Sequence, residues 1–210
     1  MGKLYTELDD RLMRFIARQP VFFVATAPCP GRDGDGGHVN VSPKGYAGTF
    51  AVLGPTTVAY VDLTGSGAET IAHLRQNGRI TIMFCSFGRQ PKILRLYGTG
   101  RVALPGAAEF ASLLAHFPAS GPGSSPGSQR AIICAELDRI ADSCGYAVPV
   151  MNLVEERDVL VRSDERKTAG QLAAYRAENN AVSIDGIPAL SPVARRAASP
   201  HRIPTSPPSG

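Results

Sequence analysis

The amino-acid sequence predicts a mainly β protein with peripheral helices (β+α), its sheet largely antiparallel and closed or nearly closed. Three observations lead there. Runs rich in β-branched and aromatic residues follow one another through short links, with one short helical pattern among them. Gly (22) and Pro (17) are plentiful, which favours many turns over a helical bundle. Strands and helices do not alternate along the whole chain, as a doubly wound α/β sheet requires.

The elements follow in order. After Thr6, a candidate N-cap with Glu7 and Asp9 behind it, the apolar residues Leu8, Leu12, Phe15 and Ile16 recur at helical spacing and predict a helix over 7–18. Pro20 ends it, and VFFVATA (21–27) reads as a strand. GRDGDGG (31–37) is turn chemistry at a hairpin tip; Asp33 and Asp35 lack the further ligands of a calcium loop. Strands are expected at 38–43 and 56–62, with Gly45 to Gly48 bending the chain between them. Residues 67–77 form a helix with Ala68, Ile71 and Leu74 on one face and Gly78 as terminator. The longest strand signals lie at 79–87 and 92–104; Gly98 and Gly100 interrupt the second, the mark of a bulge or a close backbone approach. A helix over 105–118, a Gly/Pro/Ser loop at 121–128, a strand over 130–140 and a helix over 164–179 complete a single domain of residues 1–190. From Ser191 the Pro/Ser/Arg composition predicts a disordered tail, 191–210.

A net charge of +4 suggests a nucleic-acid partner only until the charges are located. The last twenty residues carry Arg195, Arg196 and Arg202 and no acid, so the body of the chain is nearly neutral and neither nucleic acid nor membrane is expected as a partner. Cys29, Cys85, Cys134 and Cys144 show no paired spacing. The start, MGKLYTELDDRL, is too acidic for a secretion signal, so a reducing cytoplasm is expected. Four scattered His and four scattered Cys define neither a metal site nor a nucleophile–base pair, and the catalytic residues stay unassigned.

The stretch from His38 to Val102 carries the chemistry. Thr64, Gly65, Ser66 and Gly67 lie where a strand runs into a helix, and free N–H groups at a helix start favour an anion. Small residues let a phosphate approach the backbone, with Lys44 and one of Lys92 or Arg95 to balance its charge. The same residues also read as plain capping by Ser66 and turning by Gly65, and the local pattern alone does not separate the two. Gly-Ser-Gly begins like a dinucleotide fingerprint, but no third glycine follows in register.

In their order along the chain, these motifs resemble the pyridoxamine 5'-phosphate oxidase-like family of FMN-binding split barrels. Val41 to Gly45 (VSPKG) is similar to that family's strand ending in Lys-Gly. Tyr60 to Asp62 matches a Tyr-Thr-Asn-like turn, and Leu94-Arg95-Leu96-Tyr97-Gly98 resembles a Val-Arg-Val-x-Gly strand. The resemblance implies an antiparallel split β-barrel of FMN-binding type and a homodimer with the flavin at the subunit interface. It implies that Asn40, Val41 and Ser42 pass the ring and ribityl chain, and that Lys44 approaches the phosphate or the pyrimidine edge. Asp62, Leu63, Thr64, Gly65, Ser66 and Gly67 would wrap the phosphate, with Lys92 or Arg95 on the ribityl-phosphate region. The implied activity is an FMN-dependent oxidoreductase acting on a small molecule by hydride transfer. A deazaflavin-dependent reductase and a non-catalytic flavin-binding protein are the alternatives on the same barrel. Two departures stand out. Glu69 and Thr70 occupy the places of the family's usual Arg-Lys pair, and the segment that grips vitamin B6 has no counterpart in SCGYAVPVM (143–151), so pyridoxamine phosphate oxidation itself is not expected.

Overall fold

The computed structural model describes residues 2–30, 36–121, 124 and 127–190 and folds them into one antiparallel sheet flanked by helices. In chain order the elements are β1 (Leu4–Tyr5), α1 (Asp10–Ala17), β2 (Phe22–Thr26), β3 (Asn40–Lys44), β4 (Phe50–Val52), β5 (Thr57–Leu63) and α2 (Glu69–Asn77). They continue as β6 (Arg79–Cys85), β7 (Ile93–Ala103), α3 (Ala108–Leu114), β8 (Gln129–Ser143), α4 (Val159–Glu165) and α5 (Ala169–Asn179). The strands are ordered β3-β2-β6-β7-β8-β5-β4, with β1 added beside β8. Among the described residues no helix is long and apolar enough to cross a membrane.

Aromatic side chains bring the two ends of this sheet together. Phe22 on β2 stands 5.1 Å from Phe50 on β4 and 5.4 Å from Tyr60 on β5, and Phe84 on β6 lies 5.0 Å from Phe50. Strands at opposite ends of the pairing order therefore share one interior, and the sheet curls into a split barrel. Its seam lies between the edge strands β3 and β4. Leu12, Val24, Ile71, Ile82, Leu94, Leu96 and Ile133 fill that interior together with α1 and α2. A second cluster lies on the outer side of β5 and β8, where Phe110 and Leu113 of α3 cover Val61, Ile132 and Cys134. Covered on both faces, β5 and the first half of β8 read as unbroken apolar runs rather than alternating ones.

Gly98 marks a close approach, as its place in the strand suggests. The β7–β8 register shifts between Tyr97 and Gly98, and a Cβ at Gly98 would collide with the Glu136 carbonyl. Gly98→Ala should destabilise the protein by about 2–3 kcal/mol, read as a lowered urea midpoint; an unchanged midpoint would contradict the bulge geometry.

Several expected boundaries are corrected. The first helix spans Asp10–Ala17, because Asp9 rather than Thr6 is the N-cap and accepts from the Leu12 N–H at 2.8 Å. The second starts at Glu69, with Ala68 as an N-cap that offers no side-chain bond, so Ser66 does not cap it; Gly78 ends it in the left-handed region at φ 73. The 105–118 helix shortens to α3. The 164–179 helix is two helices, since Thr168 opens a new one through a capping box with Gln171. Residues 31–35 of the expected hairpin tip at 31–37, residues 122, 123, 125 and 126 of the 121–128 loop, and the tail at 191–210 lie outside the described residues.

Candidate functional site

At the seam, β3 aims alternate residues at the start of α2. Asn40, Ser42 and Lys44 share the inner face; Val41 points away and is exposed. The Asn40 amide donates to the Thr70 hydroxyl at 3.1 Å and accepts from the Ser42 hydroxyl at 3.0 Å, so it braces the strand against the helix.

Below this row lies Asp62, fully buried on β5. Lys44 Nζ donates to one carboxylate oxygen at 2.7 Å, and Arg130 Nε and Nη2 donate to the other at 2.9 and 2.7 Å. Burial pushes the Asp62 carboxyl up, but the Lys44 ammonium and the Arg130 guanidinium outweigh it and hold it below the usual carboxylate range. A buried carboxylate fixed by two cations is a rigid platform.

The loop after β5 is gripped by its carbonyls. Arg130 Nη1 donates to the Gly67 carbonyl at 2.7 Å and the Gly65 carbonyl at 3.3 Å. Asn180, just beyond α5, donates to the carbonyls of Gly65 and Ser66, and Arg176 donates to the Thr64 hydroxyl at 2.7 Å. With carbonyls turned inward to these donors, the N–H groups of Gly65, Ser66 and Gly67 meet no acceptor among the described residues.

The result is a cleft of about 350 Å³ whose walls include Ser42, Lys44, Leu63, Thr64, Gly65 and Gly67. Gly45, Tyr46, Glu69, Thr70, Arg130 and Leu160 of α4 also line it. Eight of the expected residues are therefore brought together here: the six walls named first, with Asp62 beneath them and Asn40 as brace. Ser66 contributes its backbone and leaves its side chain in solvent. Lys92 and Arg95 do not reach the cleft, and Val41 does not face it. Lys92 pairs with Asp142 at 2.9 Å at another part of the barrel, and Arg95 donates to the Ser143 hydroxyl. Both follow from β7's place in the middle of the sheet, three strands from either edge along the pairing order.

The family model for pyridoxamine 5'-phosphate oxidase matches residues 8–144. The pyridoxamine 5'-phosphate oxidase family protein ustO of Aspergillus flavus is 39% identical over 208 residues, covering 90% of this chain and 78% of that protein. The chain belongs to the pyridoxamine 5'-phosphate oxidase family. Solved structures align more distantly. HupZ of Group A Streptococcus is 21% identical with a TM-score of 0.44, over 63% of this chain and 90% of its own. An FMN-binding protein of Syntrophomonas wolfei is 13% identical with a TM-score of 0.42, over 67% and 83%. The family assignment rests on the first two matches.

Membership raises the question of whether this cleft suits a phosphorylated flavin. The unaccepted N–H groups, the uncapped start of α2 and the remaining protons of Lys44 suit a phosphate. Glu69 works against it: its carboxylate sits where a side chain on Gly67 would be, 2.6 Å from that Cβ position, and accepts from the Ile184 N–H. Two cations thus face two carboxylates. The residues fit the group, with weaker attraction than the family's usual Arg-Lys pair would give.

Arg130, Arg176 and Asn180 were not anticipated from the sequence. For Arg130 a signal exists, since an arginine opening an otherwise apolar strand must find a buried acid. Arg176 and Asn180 lie beyond the family-matched residues, in a segment with no motif to flag them.

Proposed function

We propose that this protein binds FMN with its phosphate on the 64–67 loop and acts as a flavin-dependent oxidoreductase on a small molecule. The observation that carries the reading is the loop itself. The carbonyls of Gly65, Ser66 and Gly67 are held by Arg130 and Asn180, their N–H groups meet no acceptor among the described residues, and Lys44 lines the same cleft. Family membership supplies the flavin.

In this reading the Asp62–Arg130 pair keeps the loop in shape before ligand arrives, which lowers the ordering cost of binding. Lys44 divides its charge between Asp62 and the phosphate. Asn40 and Ser42 hold β3 at the distance that leaves room for the ribityl chain. The bound flavin supplies the hydride-transfer chemistry, and the protein positions and tunes it. A homodimer that completes the cofactor groove across the subunit interface belongs to the same proposal, supported by the exposure of Val41 on the edge strand and of Val39 just before it. So does a reducing cytoplasmic setting, consistent with four free thiols.

Titration with FMN and with riboflavin tests the phosphate position. Lys44→Ala should weaken FMN binding by about 1.5 kcal/mol, roughly tenfold, and leave riboflavin binding unchanged. Equal losses for both ligands, or none for FMN, would move the phosphate elsewhere.

A further inference from the structure

We infer that a second cleft, built around Arg18, Arg89 and Lys92, seats the anionic group of the substrate, and that the substrate's body lies along a groove leading to the flavin cleft. The inference rests on the proposed flavin site for the word substrate; the anion site itself does not.

The second cleft has a volume of about 470 Å³ and lies between the end of α1 and the link joining β6 to β7. Four cations line it, the three named and Arg11, and no carboxylate does. Two of them are already held: Lys92 Nζ by Asp142 at 2.9 Å, and Arg11 through the Tyr5 hydroxyl at 2.9 Å. The guanidinium groups of Arg18 and Arg89 have no carboxylate partner among the described residues. Solvated arginines on a convex surface would need no explanation. Here both border a concavity whose apolar wall is Phe15, a ring only 7% exposed. Arg18 and Arg89, gathered at one hollow with no carboxylate partner among the described residues, repel one another, and an anion removes that cost.

The groove between the two sites is also built. A third cleft of about 220 Å³ shares Arg18 and Gln19 with the basic end, and Gly45 and Tyr46 with the flavin cleft. Phe50 is a half-buried apolar wall of this cleft, with the buried rings of Phe22 and Phe84 packed against it. Its one carboxylate, Glu156, is occupied by the Ala47 N–H at 2.9 Å. At the junction, Tyr46 is the one non-glycine residue among those described that holds a left-handed backbone, at φ 70. Such conformations concentrate where a site demands them. Its hydroxyl is tied to the Arg157 carbonyl at 2.7 Å, which fixes the ring at the crossing. The ligand that matches is a small carboxylate or phosphate on a flat, unsaturated body. Bidentate arginine pairing favours those planar or tetrahedral oxyanions.

The experiment uses the full chain, with phenyl phosphate and benzoate as probes and benzyl alcohol as the neutral control, followed by amide chemical-shift titration. The wild type should bind both anions saturably and the alcohol at least about tenfold more weakly. The Arg18→Ala/Arg89→Ala double variant should lose at least about tenfold in affinity for the anions and keep its FMN affinity. Arg14→Ala, which removes a charge from the same helix outside the cleft, should change neither. Anion binding that survives the double variant, or falls equally with Arg14→Ala, overturns the inference. If FMN fails to bind while the anion series behaves as described, the flavin reading falls and the anion site stands.

Discussion

Replacing Asp62 by alanine is expected to destabilise the protein by about 3–5 kcal/mol, because it leaves the buried guanidinium of Arg130 without its counter-ion. The arginine side chain is only 4% exposed and cannot turn to solvent, whereas Lys44, at 23%, can move outward. Most of the loss therefore comes from Arg130. Equilibrium urea unfolding measures it, and the double variant Asp62→Ala/Arg130→Met should recover a large part, since an apolar pair removes the stranded charge. The recovered protein should still fail to hold FMN tightly, because the grip on the Gly65 and Gly67 carbonyls goes with Arg130. A single variant as stable as the wild type would mean that the ion pair does not organise the cleft.

Phe22→Ala is expected to cost about 3–5 kcal/mol, since Phe22 packs against three rings at once and is 4% exposed. This ring touches β4, β5 and β6, so its removal loosens contact across the barrel as well as emptying volume. The cleft would lose definition too, because β3 pairs directly with β2. Thermal unfolding reads the stability loss. A shift no larger than a surface substitution produces, within about 0.5 kcal/mol, would show that the sheet does not close through this cluster.

Much of the fold was legible because its signals are local. The run RITIMFCSF and the glycine-interrupted KILRLYGTGRVAL mark strands by composition alone, and Gly78 ends its helix for a reason visible in one residue. The short strand at Phe50–Val52 was not legible: three residues carry no periodicity, and only their pairing with Val58–Tyr60 makes them a strand. The break before Thr168 was missed because the helical spacing of apolar residues continues across it, while the capping box decides the boundary.

The site was legible in part for a similar reason. Lys44 and the 64–67 loop lie within one recognisable order of motifs, and the curl of the sheet brings them together. Lys92 and Arg95 share that order but not that place, because closeness in sequence to a motif says nothing of which strand lies beside which. Arg130, Arg176 and Asn180 act through long-range contacts that no local spacing records. Glu69, flagged as a departure, does stand beside the loop, so the expected charge deficit is built into the cleft.

A crystal structure of the protein grown with FMN is the most direct test of the account. The phosphate should rest within hydrogen-bonding distance of the Gly65–Gly67 N–H groups and of Lys44 Nζ. FMN bound with its phosphate away from this loop, or no FMN bound at saturating concentration, would contradict it.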